Sequence, residues 1–123
     1  SARAFSVSEI WPTELRIKDN GRNFEMHLDG GEILLIPAEL LRVESPSAEV
    51  KGHGPGQETL VWGKRNVLLM KAEPVGNYAV RLHFNDGHDT GLYTWAYLAE
   101  LGRNHCAKMG TYTEKLKAAG LAR

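Results

Sequence analysis

An α+β fold is what the sequence predicts: antiparallel β-hairpins and meanders with short helices on one side, in a single compact domain of 123 residues. Three observations carry this. Asn20-Gly21 and Asp86-Gly87 are two-residue hairpin signals, each flanked by alternating apolar residues. Pro37 and Thr94 stand where helices begin. With 42% hydrophobic residues, 24% charged and three Trp, the chain has the composition of a globular domain rather than a disordered one.

The first meander starts at Thr13. A type I′ turn at Asn20-Gly21 sets the register, so that Asp19 faces Arg22, Arg16 faces Glu25 and Glu14 faces His27, while Leu15 faces Met26 and Ile17 faces Phe24. A second turn, at Asp29-Gly30 or Gly30-Gly31, returns the chain through Ile33 to Ile36. Either choice puts Phe24, Met26, Leu28, Ile33 and Leu35 on one face. Pro37 suits the first turn of a helix over Ala38 to Val43.

Ser45 to Glu58 is then too polar for core and too rich in Gly and Pro for a regular element, and it reads as a functional or Ω-type loop. Val67 to Met70 reads as a buried strand and Glu73 to Asn77 as a turn. Tyr78, Val80, Leu82 and Phe84 alternate with Ala79, Arg81 and His83. A two-residue turn at Asp86-Gly87 makes Asn85 face His88, Leu82 face Gly91, Val80 face Tyr93 and Tyr78 stack on Trp95, with His83 and His88 diagonal neighbours on the polar side. Thr94 caps a helix carrying Tyr97, Leu98 and Leu101. Thr111 and Glu114 form a capping-box pair that opens a final short helix.

Fifteen Lys and Arg balance fifteen Asp and Glu, so no broad field gathers phosphate backbones or anionic lipid, and neither nucleic acid nor membrane is an expected partner. No stretch approaches the roughly 18 apolar residues of a membrane span. The single Cys106 forms no internal disulfide and suits a reducing cytosol; with no signal-peptide pattern at the start, a cytoplasmic location is expected.

Several constellations could carry chemistry. His27-Leu28-Asp29 has the His-x-Asp spacing of non-haem iron sites, although Asp29 is better explained as a turn residue beside two glycines. Asn85 to Asp89 gathers lone pairs on a hairpin tip, where turn chemistry competes with ligation by His88. Gly52, Gly54 and Gly56 around His53 lack the Lys-Ser/Thr and helix of a P-loop, but their N–H groups suit a small anion. Neighbours on a helix do not face each other, so His105 beside Cys106 is no nucleophile and base pair. Arg81, Lys64 and Arg65 near Trp62 read as a solvated face. No catalytic constellation emerges.

Pro12-Thr13-Glu14-Leu15, Leu40-Leu41-Arg42 followed by Ser45-Pro46-Ser47, Val75-Gly76-Asn77-Tyr78-Ala79 and Asp86-Gly87-His88-Asp89-Thr90-Gly91-Leu92-Tyr93 together resemble the gamma-butyrobetaine hydroxylase-like N-terminal domain, a bacterial domain of unknown function. The resemblance covers about residues 10 to 101, leaving 1–9 as an N-terminal extension and 102–123 as a C-terminal helical one. It implies the part of such hydroxylases that precedes the iron- and 2-oxoglutarate-dependent catalytic domain, a part also found attached to P-loop ATPases that handle iron–sulfur clusters. Members that bind zinc use C-x-C-x-x-C after the Leu-Arg, completed by the His of Asp-Gly-His. Carried over, those positions are Ser45, Ser47, Val50 and His88, so only the His remains and no zinc is expected there. A hydrogen bond from Ser45 or Ser47 to His88 is the expected replacement.

Three functions follow, in this order. The first is a non-catalytic accessory module that binds a protein partner, in iron or iron–sulfur metabolism, through the face bearing the 45–58 loop and His88; no cofactor is expected and a homodimer is compatible. The second is a metal-binding protein holding zinc or iron with His83 and His88, helped by Asp86, Asp89 or His53. The third is a small-ligand receptor or enzyme whose pocket near the loop uses Arg42, Arg81 and His88.

Overall fold

Two three-stranded antiparallel sheets, joined by short helices, enclose the core in a computed structural model of the chain, which describes residues 11–51 and 59–123. Expectations that fall on residues 1–9 and on the loop from Gly52 to Glu58, His53 included, lie outside the described residues. The first sheet orders β1 (Pro12–Lys18), β2 (Asn23–Leu28) and β3 (Ile33–Pro37). Its first register is the predicted one, with Glu14 opposite His27, Leu15 opposite Met26, Arg16 opposite Glu25 and Ile17 opposite Phe24. Asn20 at φ 58°, ψ 31° and Gly21 at φ 98° take the type I′ conformation, and the Arg22 N–H donates to the Asp19 carbonyl at 3.2 Å.

The return strand departs from expectation. Asp29-Gly30-Gly31 forms a three-residue loop, closed by bonds from Leu28 N–H to Glu32 C=O at 2.8 Å and from Gly31 N–H to Leu28 C=O at 3.0 Å. An odd loop moves the register by one residue and turns every side chain of β3 over. Phe24 therefore faces Ile36 and Met26 faces Leu34, both buried pairs, while Ile33 and Leu35 point outward, 57% and 43% exposed.

The second sheet orders β4 (Leu69–Val75), β5 (Ala79–Phe84) and β6 (Leu92–Thr94). β4 runs on through Glu73-Pro74-Val75, expected as a turn, because an edge strand tolerates a proline; the turn is Gly76 to Tyr78. A bulge between Leu69 and Lys71 leaves Met70 64% exposed rather than buried. Val80 faces Tyr93 as predicted. Tyr78 is exposed instead of stacked, and the Trp95 indole N–H donates to the Asn77 carbonyl at 2.8 Å.

Among the described residues, four α-helices accompany the sheets. α1 (Ala38–Val43) follows Pro37 at once, and α2 (Ala48–Lys51) is a single turn. α3 (Trp95–Arg103) is capped by Thr94, whose hydroxyl accepts the Tyr97 N–H at 3.2 Å. α4 (His105–Ala119) begins well before Thr111, so the predicted capping box lies inside one long helix. Inner residues of both sheets meet Leu40 and Leu41 of α1, Leu98 and Leu101 of α3, and Tyr112 and Leu116 of α4 in one core. The sheets touch at the first hairpin: a Cβ on Gly21 would come within 2.5 Å of the Leu69 carbonyl oxygen. Among the described residues no helix is long and apolar enough to cross a membrane.

Candidate functional site

After α1 the chain cannot continue as helix into Pro46, and it turns over the start of α2, where the Ser47 carbonyl accepts the N–H groups of Val50 and Lys51. This turn lies against the hairpin that follows β5. That hairpin was expected to use two residues but uses three, Asn85-Asp86-Gly87, with Gly87 at φ 92°; Phe84 N–H donates to His88 C=O at 3.0 Å and Gly87 N–H to Phe84 C=O at 3.1 Å. The extra residue swings the His88 side chain inward. His88 is buried, its ring 6.0 Å from that of Phe84, while His83 stays on the outer face.

The turn and the hairpin are clasped together. Ser45 Oγ and His88 Nε2 lie 2.8 Å apart, with Ser45 fully buried. Ser45 Oγ also accepts the Ser47 N–H at 3.3 Å, and Ser47 Oγ lies 2.7 Å from Thr90 Oγ1. Gly91 is what allows such an approach, since a Cβ there would sit 2.5 Å from Ser45 Oγ. Beneath the clasp, Tyr93 donates its hydroxyl to the Leu41 carbonyl and Tyr97 donates to that of Glu44. Burial pushes the Tyr93 hydroxyl well above its ordinary value, against an opposing hydrogen bond with Ser45.

Asp86 ties the tip to the rest. One carboxylate oxygen accepts the His88 N–H at 3.1 Å; the other accepts Arg42 Nε at 2.8 Å and Lys64 Nζ at 2.6 Å. Burial would raise this carboxyl, but the hydrogen bonds from Lys64, His88 N–H and Arg42 outweigh it and hold the group down at about 2. Arg42 Nη1 is buried without a hydrogen-bond partner. Asn85 adds a bond from the Leu68 N–H to its Oδ1 at 3.0 Å.

Of the residues singled out from sequence, Arg42, Ser45, Ser47, Asp86 and His88 come together here. Arg81 is exposed on the outer face of β5, and His83 is engaged by Glu73 at 3.2 Å and Asp89 at 3.9 Å, so the two histidines do not converge. Among the described residues no group of three or more His, Cys, Asp or Glu could hold a metal ion. Among the described residues, a groove of about 1070 Å³ lies between residues 43–51 and 59–61 on one side and α4 on the other, lined by Val50, Lys51, Val61, Tyr112 and Lys115 among others; Arg42, Arg81 and His88, expected as pocket contacts, do not line it. Thr90, Gly91 and Lys64 were not singled out as site residues. For the first two the signal was present in Asp-Thr-Gly directly after His88.

The family model described as gamma-butyrobetaine hydroxylase-like, N-terminal, matches residues 15–99. The chain belongs to this family. Two solution structures determined by NMR resemble this gamma-butyrobetaine hydroxylase-like domain, each with a TM-score of 0.80: one is 41% identical, covering 93% of this chain and 90% of that one, the other 45% identical, covering 94% and 86%. A crystal structure of a protein of unknown function of the DUF971 family, from Acidithiobacillus ferrooxidans, is similar at a TM-score of 0.62 and 40% identity, covering 74% of this chain and 91% of that one. Among curated proteins, none matches.

The zinc that the family resemblance implies does not fit these residues. Ligand atoms around tetrahedral zinc, at about 2.0–2.3 Å from the metal, are roughly 3.3–3.8 Å from one another. Ser45 Oγ and His88 Nε2, at 2.8 Å, are too close to admit an ion between them, and the buried Val50 offers no donor. The family position is filled instead by a direct serine to histidine hydrogen bond.

Proposed function

We propose that the chain is a non-catalytic accessory module that binds a protein partner through the face formed by the 43–51 segment, the His88 hairpin and the 62–70 segment bonded to the hairpin tip. The observation that carries this reading is the closed clasp. Ser45, Ser47 and His88, the groups best suited to nucleophilic or acid–base work, are buried and spent on holding two segments together. What the clasp stabilises is a surface. Lys64 and Leu68 bond to the hairpin tip, and two residues to either side of them stand Trp62, 56% exposed, and Met70. Trp, Met and Arg are enriched at interfaces, and Arg65 completes the set. Because the family resemblance implies a part that precedes a separate iron-dependent catalytic domain, we extend the proposal to an accessory role in iron or iron–sulfur metabolism.

Crosslinking of the full chain in its native cell, with Trp62→Ala and Met70→Ala made separately, tests this. An anchor residue worth about 2 kcal/mol should weaken partner recovery by roughly 30-fold at unchanged melting temperature. Variants that both recover the wild-type set of partners would sink the reading.

A further inference from the structure

Sheet edges invite pairing unless something blunts them. Of the four sheet edges among the described residues, β1 carries a bulge between Pro12 and Glu14, β4 carries both a bulge and Pro74, and β6 is only three residues long. β3 has no such device between Ile33 and Ile36. Its main-chain polarity follows from two bonds at its ends: Leu28 N–H to Glu32 C=O at 2.8 Å and Ala38 N–H to Arg22 C=O at 2.7 Å. Antiparallel pairs alternate between hydrogen-bonded and non-bonded, so Leu34 and Ile36 bond to β2 while Ile33 and Leu35 turn their N–H and C=O groups to the open side. The same two residues hold the exposed apolar side chains of the strand.

We infer that β3 pairs with β3 of a second copy of this chain, antiparallel about a twofold axis through Leu34. In that arrangement Ile33 of each copy lies opposite Leu35 of the other, and the four outward N–H groups find four outward C=O groups. The pairing is self-complementary, as a twofold interface must be. Charge favours it too. The net charge is zero, and the carboxylates flanking the edge are already engaged within each copy, Glu32 in an ion pair with Arg103 at 2.6 Å and Glu25 in a hydrogen bond with His27 at 2.9 Å. No like charges meet and no unpaired charge is buried. Gly30 and Gly31 keep the approach clear at one end, and Pro37, lacking an N–H, stops the ladder at the other. So short a ladder falls below the roughly 1,600 Å² of a standard stable interface, which makes the dimer weak and dependent on concentration. The inference stands independently of the interaction face proposed above.

Sedimentation equilibrium of the full chain, from about 5 μM to 1 mM, tests it alongside hydrogen exchange. The average mass should rise toward two chains, and the amides of Ile33 and Leu35 should exchange several-fold more slowly at the upper concentration. Ile33→Lys should remain a monomer at every concentration. Leu35→Pro removes only an outward N–H and should do the same; if it fails to fold, Ile33→Lys alone decides. A wild-type mass that never rises, a rise that Ile33→Lys leaves intact, or association without slower exchange at Ile33 and Leu35 would each overturn the inference.

Discussion

Replacing Gly91 by Ala places a methyl group 2.5 Å from Ser45 Oγ and 3.1 Å from Tyr93 Cε1. Ordinary contact needs about 3.4 Å or more, so Ser45 has to retreat by nearly an ångström. It has nowhere to go: the residue is fully buried, and its hydroxyl is held 2.8 Å from His88 Nε2. Overpacking of a tight interior costs about 1–3 kcal/mol. Losing the serine to histidine bond with both partners buried adds about 1–3 kcal/mol. Urea denaturation should therefore show Gly91→Ala destabilised by about 2–6 kcal/mol with an unchanged slope, a fall of roughly 8–24 °C in melting temperature for a chain of this size. Ser45→Gly in the same background removes the obstructing hydroxyl, so the double variant should be less destabilised than the two single losses added together. A Gly91→Ala protein within about 0.5 kcal/mol of wild type would mean that the turn and the hairpin are not clasped at this point.

Gly87→Val should cost about 1–3 kcal/mol in thermal melting, entirely from a φ of 92°, because a Cβ at Gly87 has nothing within 4 Å. Asp86 supplies a pH dependence: its folded carboxyl, at about 2, lies below the ordinary 3.8, so its stabilisation is present in full above the unfolded value and is lost as pH falls through the interval down to 2. Denaturation curves between pH 2 and 7 should accordingly show about 1 kcal/mol of acid-sensitive stability in the wild type that Asp86→Asn lacks, solvent screening of the partly exposed carboxylate reducing the full effect of the shift; parallel curves for the two proteins would refute the role given to Arg42 and Lys64. Elemental analysis of untagged protein should find far less than one zinc per chain, and a zinc retained in mild chelator would contradict the directly bonded Ser45 and His88.

Local signals were legible wherever the backbone conformation is a matter of a few adjacent residues. Asn20-Gly21 dictated the first hairpin register, Pro37 the start of α1 and Thr94 the cap of α3, because left-handed φ, a fixed φ and a hydroxyl acceptor are properties of single residues. The replacement bond between Ser45 and His88 was legible too, since one histidine left among lost cysteine positions needs a nearby partner.

The glycine-rich turns were read from sequence as two-residue loops, whereas each uses three residues in the folded chain, which turned Ile33 and Leu35 outward and His88 inward. Only packing decides that choice, because one residue more or less in a loop costs little locally while it determines which face of the strand is buried. Contacts distant in sequence were likewise invisible before the chain closed: Lys64 and Arg42 on one oxygen of Asp86, and Ser45 pressed against Gly91. Composition and order along the chain determined the fold class, the family and the residues available for the clasp. Tertiary structure decided which of them meet, and at what distance, because that depends on how segments far apart in the chain pack against one another.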